Sequence, residues 1–370
     1  MHIRNPNPGQ LKVLAVVGTR PNIIKHMVVQ RAFASRHPEV ELKLVHTGQH
    51  SEPNMSGIFF QEFKLPPPDY QFLVSNPSPI RHIGEIMWQM ERVLAIEKPD
   101  TTIVYGDVNS TPAAAWASAR KGIPITYIEG GIRNPDGLQN HEEINRRLTS
   151  SISHLVFPPT EETRLNLLKE NFPPERVFLY GDTVCDALHY ALGELQITAT
   201  EGDYVFAAFH RHEDMGAPGQ LRGILEALIE SGKRIKFLMH PSTEKKLKGE
   251  GLYQMLEENC NFELIPPQGF FDFVRILAGA GKVLTDGGGT RRQAYMLGKP
   301  TIILDGSIYL PEIVKTGWGI VTGTAKEKIL AAIKTFDPRK KPRPALFGDG
   351  HAAEKIVDKI VEIYNLRRNP

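Results

Sequence analysis

Apolar and polar positions come in two alternating kinds of block along this chain. Short apolar runs predict buried strands, and the longer stretches between them, with apolar positions three and four apart, predict amphipathic helices. Strands are expected at 11–17, 41–45, 101–105, 123–128, 154–157 and 177–180, and helices at 80–97, 112–121, 142–152 and 161–170. Gly18-Thr19-Arg20-Pro21 opens a further helix, since proline suits the first helical turn. Strand and helix in regular alternation predict an α/β fold with a parallel, doubly wound sheet.

The pattern then resets. Residues 195–203 are polar without a period and read as a linker. A second series follows, with strands at 204–208, 235–239, 262–265, 282–285 and 301–304. Its helices are expected at 219–231, 243–257, 270–280, 290–297 and 325–335, and an amphipathic helix at 351–364 closes the chain. The expected organisation is two Rossmann-like domains with a central cleft. The first spans 1–196 and the second 197–350. The C-terminal helix, 351–370, has packing back on the first domain as one course open to it.

Composition narrows the function. The chain has 370 residues, 41% of them hydrophobic and 23% charged, which suits a globular protein with two cores. Lys plus Arg at 44 against Asp plus Glu at 42 gives a net charge of +2, which argues against a nucleic-acid partner. Cys185 and Cys260 provide neither a disulfide framework nor metal-ligand spacing, so a reducing, cytoplasmic setting is expected. No apolar run reaches the length of a membrane helix, and the N-terminus lacks a signal-peptide core. No membrane partner is expected.

Ligands of open α/β sheets bind at the carboxyl ends of the strands. The strand at 101–105 runs into Gly106-Asp107, and the strand at 123–128 runs into Glu129, so both carboxylates should rise from one rim. Glu142 opens the next helix. Clustered carboxylates raise one another's pKa and suit proton transfer at carbon. The plainer alternatives are that Asp107 caps a helix and that Glu143 pairs with Arg146 or Arg147 on its own helix.

Two turns offer anion sites. At Gly18-Thr19-Arg20-Pro21, backbone N–H groups and the helix dipole favour an anion, and Arg20 adds a bidentate donor. The third glycine of the dinucleotide fingerprint is missing. Asp286-Gly287-Gly288-Gly289-Thr290 repeats the logic in the second series, with Arg291 and Arg292 next. Ordinary structural turns are the alternative for both. Together they suggest a diphosphate gripped across the cleft. His210-Arg211-His212 follows the first strand of the second series. With no further ligand cluster no metal is expected, and a strand-end His210 offsetting phosphate charge is preferred to a solvated loop.

These motifs together resemble the UDP-N-acetylglucosamine 2-epimerase family, non-hydrolysing branch, from Val13 to about Gly323. The resemblance is carried by GTRP at 18–21 with Lys25, TGQH at 47–50, GDVNST at 106–111, EGGIR at 129–133 and EEINRRLT at 142–149. PTEETRLNLL at 159–168, GDTVCDAL at 181–188, FHRHE at 209–213 and TDGGG at 285–289 continue it. It implies a GT-B fold and a reaction in which UDP is eliminated across C1–C2 of UDP-GlcNAc to give a 2-acetamidoglucal. UDP then adds back after protonation on the other face of C2. By motif position the resemblance makes Asp107, Glu129, Glu142 and His210 catalytic. Arg20, Pro21, Lys25, Arg133, Gly287, Gly288, Gly289 and Gln293 would bind substrate. Gln49, His50 and His240 match positions that bind a second, activating UDP-GlcNAc in some members. No cofactor is implied, and a homodimer is.

Some positions depart from the family's pattern. Gly287 stands where a serine is usual, Gln293 where a glutamate grips ribose, Leu310 where an arginine is usual, and Asn22 where a glutamate is common. The departures bring a modified or oxidised UDP-HexNAc into view as substrate. A hydrolysing epimerase releasing ManNAc and UDP, a GT-B glycosyltransferase and a non-catalytic sugar-nucleotide-binding paralogue are the alternatives. Retention of all three acids and His210 favours an enzyme.

Overall fold

The computed structural model describes residues 10–49, 57–74, 78–135, 137–209, 219–306 and 310–368. Six strands form the first sheet: β1 (Lys12–Val17), β2 (Glu41–His46), β3 (Tyr70–Gln71), β4 (Thr101–Tyr105), β5 (Ile125–Ile128) and β6 (Leu155–Phe157). Their spatial order is β3-β2-β1-β4-β5-β6, every neighbouring pair parallel. The second sheet contains β7 (Tyr204–Ala208), β8 (Arg234–Leu238), β9 (Phe262–Ile265), β10 (Lys282–Thr285), β11 (Thr301–Ile303) and β12 (Gly319–Val321). Its order, β9-β8-β7-β10-β11-β12, repeats that of the first, again all parallel. Each sheet is a doubly wound Rossmann sheet, and its topological switch point lies between its first and fourth strands.

The chain divides into two compact units. One holds β1–β6 together with the C-terminal helix Ala352–Arg368, and the other holds β7–β12, the chain crossing after His189 and returning at Leu346. In the first unit β1 is buried from Val13 to Val17, as expected of a strand covered on both faces. Leu14, Val16, Val104 and Tyr127 pack with Ile86 and Met90 of helix Pro79–Glu97 and with Ala113 and Ala114 of helix Ser110–Arg120. Each fully buried aliphatic contributes about 1.5–3 kcal/mol. Helices Arg20–Arg36 and Ala352–Arg368 pack together, Arg36 donating to both carboxylate oxygens of Asp358 at 2.8 and 2.5 Å. In the second unit, Val205, Ala207, Phe237 and Leu284 meet Leu221, Leu225 and Leu228 of helix Gln220–Glu230.

Most elements fall where periodicity puts them, and the differences have local causes. The apolar run at 177–180 makes a single parallel bridge, Val177 to Val156, in place of a strand. Its aromatic residues Phe178 and Tyr180 pack on Phe157 instead. The helix expected at 243–257 is two helices, Pro241–Gly249 and Tyr253–Glu257. Gly251, at φ +67°, ends the first of them in a conformation open to glycine. Helix Thr183–Leu195 fills the stretch before 195 that carried no assignment.

Candidate active site

The polar motifs of the first unit gather at its switch point, at the ends of β1 and β4. Gly18 follows β1 where no side chain fits: a Cβ there would lie 2.1 Å from Ser110 Oγ. Ser110 Oγ also meets Thr47 Oγ1 at 2.7 Å, so the turns after β1, β2 and β4 close on one another. Gln49 completes the junction, its Oε1 accepting from Ser110 N at 3.1 Å and from Ser110 Oγ at 2.7 Å.

Gly106 leaves β4 at φ +58°, a conformation that favours glycine. A Cβ on it would lie 3.1 Å from Lys25 Nζ and 3.2 Å from Glu129 Oε2. Those two groups form an ion pair, both nearly buried, between helix Arg20–Arg36 and the end of β5. Glu129 itself sits at φ +70°, a left-handed conformation that is uncommon for a residue with a side chain and recurs at functional sites. Tyr127 Oη donates to the Gly106 carbonyl at 2.8 Å, fixing the turn from below. Burial and the nearby Asp107 carboxylate push the Tyr127 hydroxyl pKa far up, so it remains a donor.

One residue further on, Asp107 is half-buried and points to the other side of the turn. Arg146 binds its Oδ2 through both Nε at 2.8 Å and Nη2 at 2.5 Å, a charge-assisted contact on one oxygen. The same guanidinium lies 3.8 Å from Glu142 Oε2, one helical turn back. Asn145 Nδ2 donates to the Asp107 carbonyl at 2.8 Å and to Asn109 Oδ1 at 3.2 Å. Helix His141–Ile152 thereby locks the GDVNST turn. Asp107 does not cap the next helix: the N-cap is Asn109, whose side chain makes no capping bond.

Glu142 is exposed, and its neighbour Glu143 is the buried acid of the pair. Glu143 accepts from Asn134 N at 2.9 Å and from Arg147 Nε at 2.8 Å, the helix-neighbour pairing its spacing allows. Arg133 is committed to Glu170 at 2.6 and 2.8 Å and to the Ile132 carbonyl at 2.7 Å. Arg20 and Pro21 are exposed at the start of their helix, with the Arg20 guanidinium 5.9 Å from the Phe59 ring centroid. In sequence Arg146 reads only as a partner of Glu143. The i,i+4 spacing signals its approach to Glu142, and nothing within the helix signals its contact with Asp107.

In the second unit the switch point lies between β7 and β10. Gly287 N–H donates to Thr285 Oγ1 at 3.0 Å and precedes helix Gly288–Met296, so the glycines expose backbone at a helix N-terminus. A Cβ at Gly287 would meet Thr285 Oγ1 at 3.5 Å, an ordinary contact. Arg291 is fully buried, 3.4 Å from Asp305 Oδ2 at the end of β11, while Arg292 and Gln293 are nearly buried. Leu310 is buried at φ +63°. His240 caps helix Pro241–Gly249, Nδ1 accepting from Ser242 N at 3.2 Å. His210 and His50 lie outside the described residues. Among the described residues no group of three or more His, Cys, Asp or Glu side chains is placed to hold a metal, and no helix is long and apolar enough to cross a membrane.

Two sheets of one strand order, each with its polar motifs at the switch point, define a nucleotide-sugar enzyme of the GT-B fold. The family model for UDP-N-acetylglucosamine 2-epimerase matches residues 33–361. The chain belongs to the UDP-N-acetylglucosamine 2-epimerase family, whose members are isomerases. A UDP-N-acetylglucosamine 2-epimerase homolog of Methanococcus maripaludis is 35% identical over 94% of this chain and 99% of its own length. The UDP-2,3-diacetamido-2,3-dideoxy-D-glucuronate 2-epimerase of Pseudomonas aeruginosa is 31% identical over 95% of this chain and 100% of its own. The crystal structure of Methanocaldococcus jannaschii UDP-GlcNAc 2-epimerase in complex with UDP-GlcNAc and UDP superposes with a TM-score of 0.86 at 32% identity. That match covers 95% of this chain and 100% of the other.

Proposed function

We propose that the protein interconverts UDP-GlcNAc, or a close UDP-HexNAc derivative, with its manno isomer at C2 by elimination and re-addition of UDP. The observation that carries this reading is the rim formed by Gly106, Asp107 and Glu129. One acid there is buried against an ammonium, and its neighbour is half-exposed against a guanidinium. Epimerisation at C2 needs two proton-transfer groups, one for each face, and these are two carboxylates with different partners at the ends of adjacent strands.

The chemistry follows from the sugar. The C2 proton is not acidic until positive charge develops at C1, so departure of the diphosphate leads. Helix N-termini suited to phosphate open at Thr19–Arg20 in the first unit and at Gly288–Gly289 in the second, and a protonated His210 would add charge. A carboxylate then takes the C2 proton while the C1–O electron pair leaves with UDP, forming the C1–C2 double bond. Protonation of C2 from the other face and attack of a diphosphate oxygen on C1 close the cycle without net loss of a proton. Asp107, Glu129 and Glu142 are assigned to these transfers, Asp107 positioned by Arg146 and Glu129 by Lys25.

A modified sugar has specific support in the 31%-identical relative named for a diacetamido-glucuronate and in the altered residues Gly287, Gln293 and Leu310. We also read the protein as a cytoplasmic homodimer. Cys185 and Cys260 form no disulfide, and Trp88 and Trp116 are 61% and 41% exposed on neighbouring helices, apolar surface suited to a second copy.

The test is incubation with UDP-GlcNAc in D2O, followed by proton NMR, then the same with the diacetamido-glucuronate derivative. Deuterium at C2 with both epimers present is the expected result for one of them. Release of free ManNAc and UDP would replace this reading with the hydrolysing one. Inertness towards both sugars would overturn it.

A further inference from the structure

We propose that Asn22 is a positioning residue that sets the geometry and charge of the Lys25–Glu129 pair, an inference that rests on the epimerase reading of that pair. Asn22 is 2% exposed, in the first turn of helix Arg20–Arg36. Its Oδ1 accepts from Gly18 N at 3.2 Å and from Thr19 Oγ1 at 3.3 Å, and its Nδ2 donates to the Tyr105 carbonyl at 3.1 Å. One side chain thus joins the turn after β1 to the last residue of β4 across the switch point. The Tyr105 carbonyl also accepts from Thr111 Oγ1 at 2.7 Å, so this anchor holds the start of the next helix as well.

The position is adjacent to the reactive groups. Lys25 follows Asn22 at the i,i+3 spacing, on the same side of the helix. A Cβ on Gly106 would lie 3.1 Å from Lys25 Nζ, 3.2 Å from Glu129 Oε2 and 3.8 Å from Asn22 Nδ2, so all three side chains surround the space that Gly106 leaves open. The two backbone groups that Asn22 bridges are of opposite kind, an N–H and a carbonyl. An amide satisfies both, whereas a carboxylate would set an oxygen against the Tyr105 carbonyl. A carboxylate would also compete with Glu129 for the Lys25 ammonium. The neutral residue at 22 therefore keeps that ammonium for Glu129. The other charges facing this corner are Asp107, Arg146, Arg133 and Glu143, which act on Tyr127 beneath Gly106.

The experiment compares wild type with Asn22→Asp and Asn22→Ala. Steady-state epimerisation is measured alongside UDP affinity, and Glu129 is titrated by carbon-13 NMR of glutamate-labelled protein, its signal assigned by loss in Glu129→Gln. N22D should lower kcat at least about tenfold with KM and UDP affinity within about threefold. It should raise the Glu129 midpoint by about one pH unit, the like-charge effect. N22A should lower kcat without that rise. Wild-type kcat and an unmoved Glu129 midpoint in N22D would overturn the proposal. Should N22D fail to fold, Asn22→Ser takes its place, and wild-type kcat there overturns it equally. If wild type turns over no sugar, the epimerase reading has failed, yet the Glu129 midpoint still decides the role of Asn22.

Discussion

Lys25 and Glu129, 104 residues apart in sequence, form an ion pair that joins the helix after β1 to the end of β5. Both side chains are about 95% removed from solvent, at 5% exposure each. Removing one partner strands the other charge in a dry site. Lys25→Met should therefore destabilise the protein by about 3–5 kcal/mol, while the double change Lys25→Met with Glu129→Leu costs much less. Urea unfolding of the three proteins checks this, and equal losses in single and double variants would contradict it.

His26, the next residue on that helix, is fully buried between Tyr105 Oη at 3.0 Å and Gln30 Oε1 at 2.9 Å. Burial lowers its pKa from 6.5 to about 4. Between those values the unfolded chain binds the proton and the folded protein does not. Stability from this residue is thus full above about pH 6.5 and is lost as the pH falls towards 4, by about 3 kcal/mol in all. In His26→Asn that part of the decline should disappear. Unfolding midpoints measured at several pH values between 4 and 7 decide it, and parallel curves would rule it out.

Gly287 has room for a side chain, with its Cβ position 3.5 Å from Thr285 Oγ1 and 3.8 Å from Thr290 Oγ1. Gly287→Ser places a hydroxyl at the helix N-terminus where the family's serine stands. UDP should then bind about tenfold more tightly, one added hydrogen bond of ~1.4 kcal/mol. Calorimetric titration with UDP reads this directly; an unchanged Kd would mean that the hydroxyl does not reach phosphate.

The exposed tryptophans make the dimer testable. Light scattering should give about twice the chain mass of 41.4 kDa, and Trp88→Glu with Trp116→Glu should halve it. A wild-type protein that scatters as a monomer would remove this part of the reading.

The fold was largely legible because its strands are short, apolar and regularly separated by amphipathic helices. β4, β7, β9 and β10 have the bounds that periodicity gives. β3, of two residues, is too short to carry a pattern, and β12 begins at Gly319 with only Ile320 and Val321 apolar; both are defined by pairing with β2 and β11. That Asp107 and Glu129 follow adjacent strands was legible for a similar reason, since each comes just after a short apolar run. Their partners were not. Whether Arg146 serves Glu143 or Asp107 depends on how its helix lies over the β4 turn, which no spacing within the helix specifies. Nor does Asn22 reveal in sequence that its amide reaches Tyr105, 83 positions away.

The return of the chain to its first unit sets the order in which this protein can mature. Arg36 and Asp358 meet across 322 positions of sequence, and Ile356, Val357 and Ile360 are buried at that late contact. On a ribosome, the residues 190–345 emerge and can fold before the helix that completes the earlier unit has been made. The early unit must therefore wait with one flank uncovered. Truncation near position 345 would leave a well-formed later unit attached to an unfinished earlier one, a natural target for chaperones and proteases.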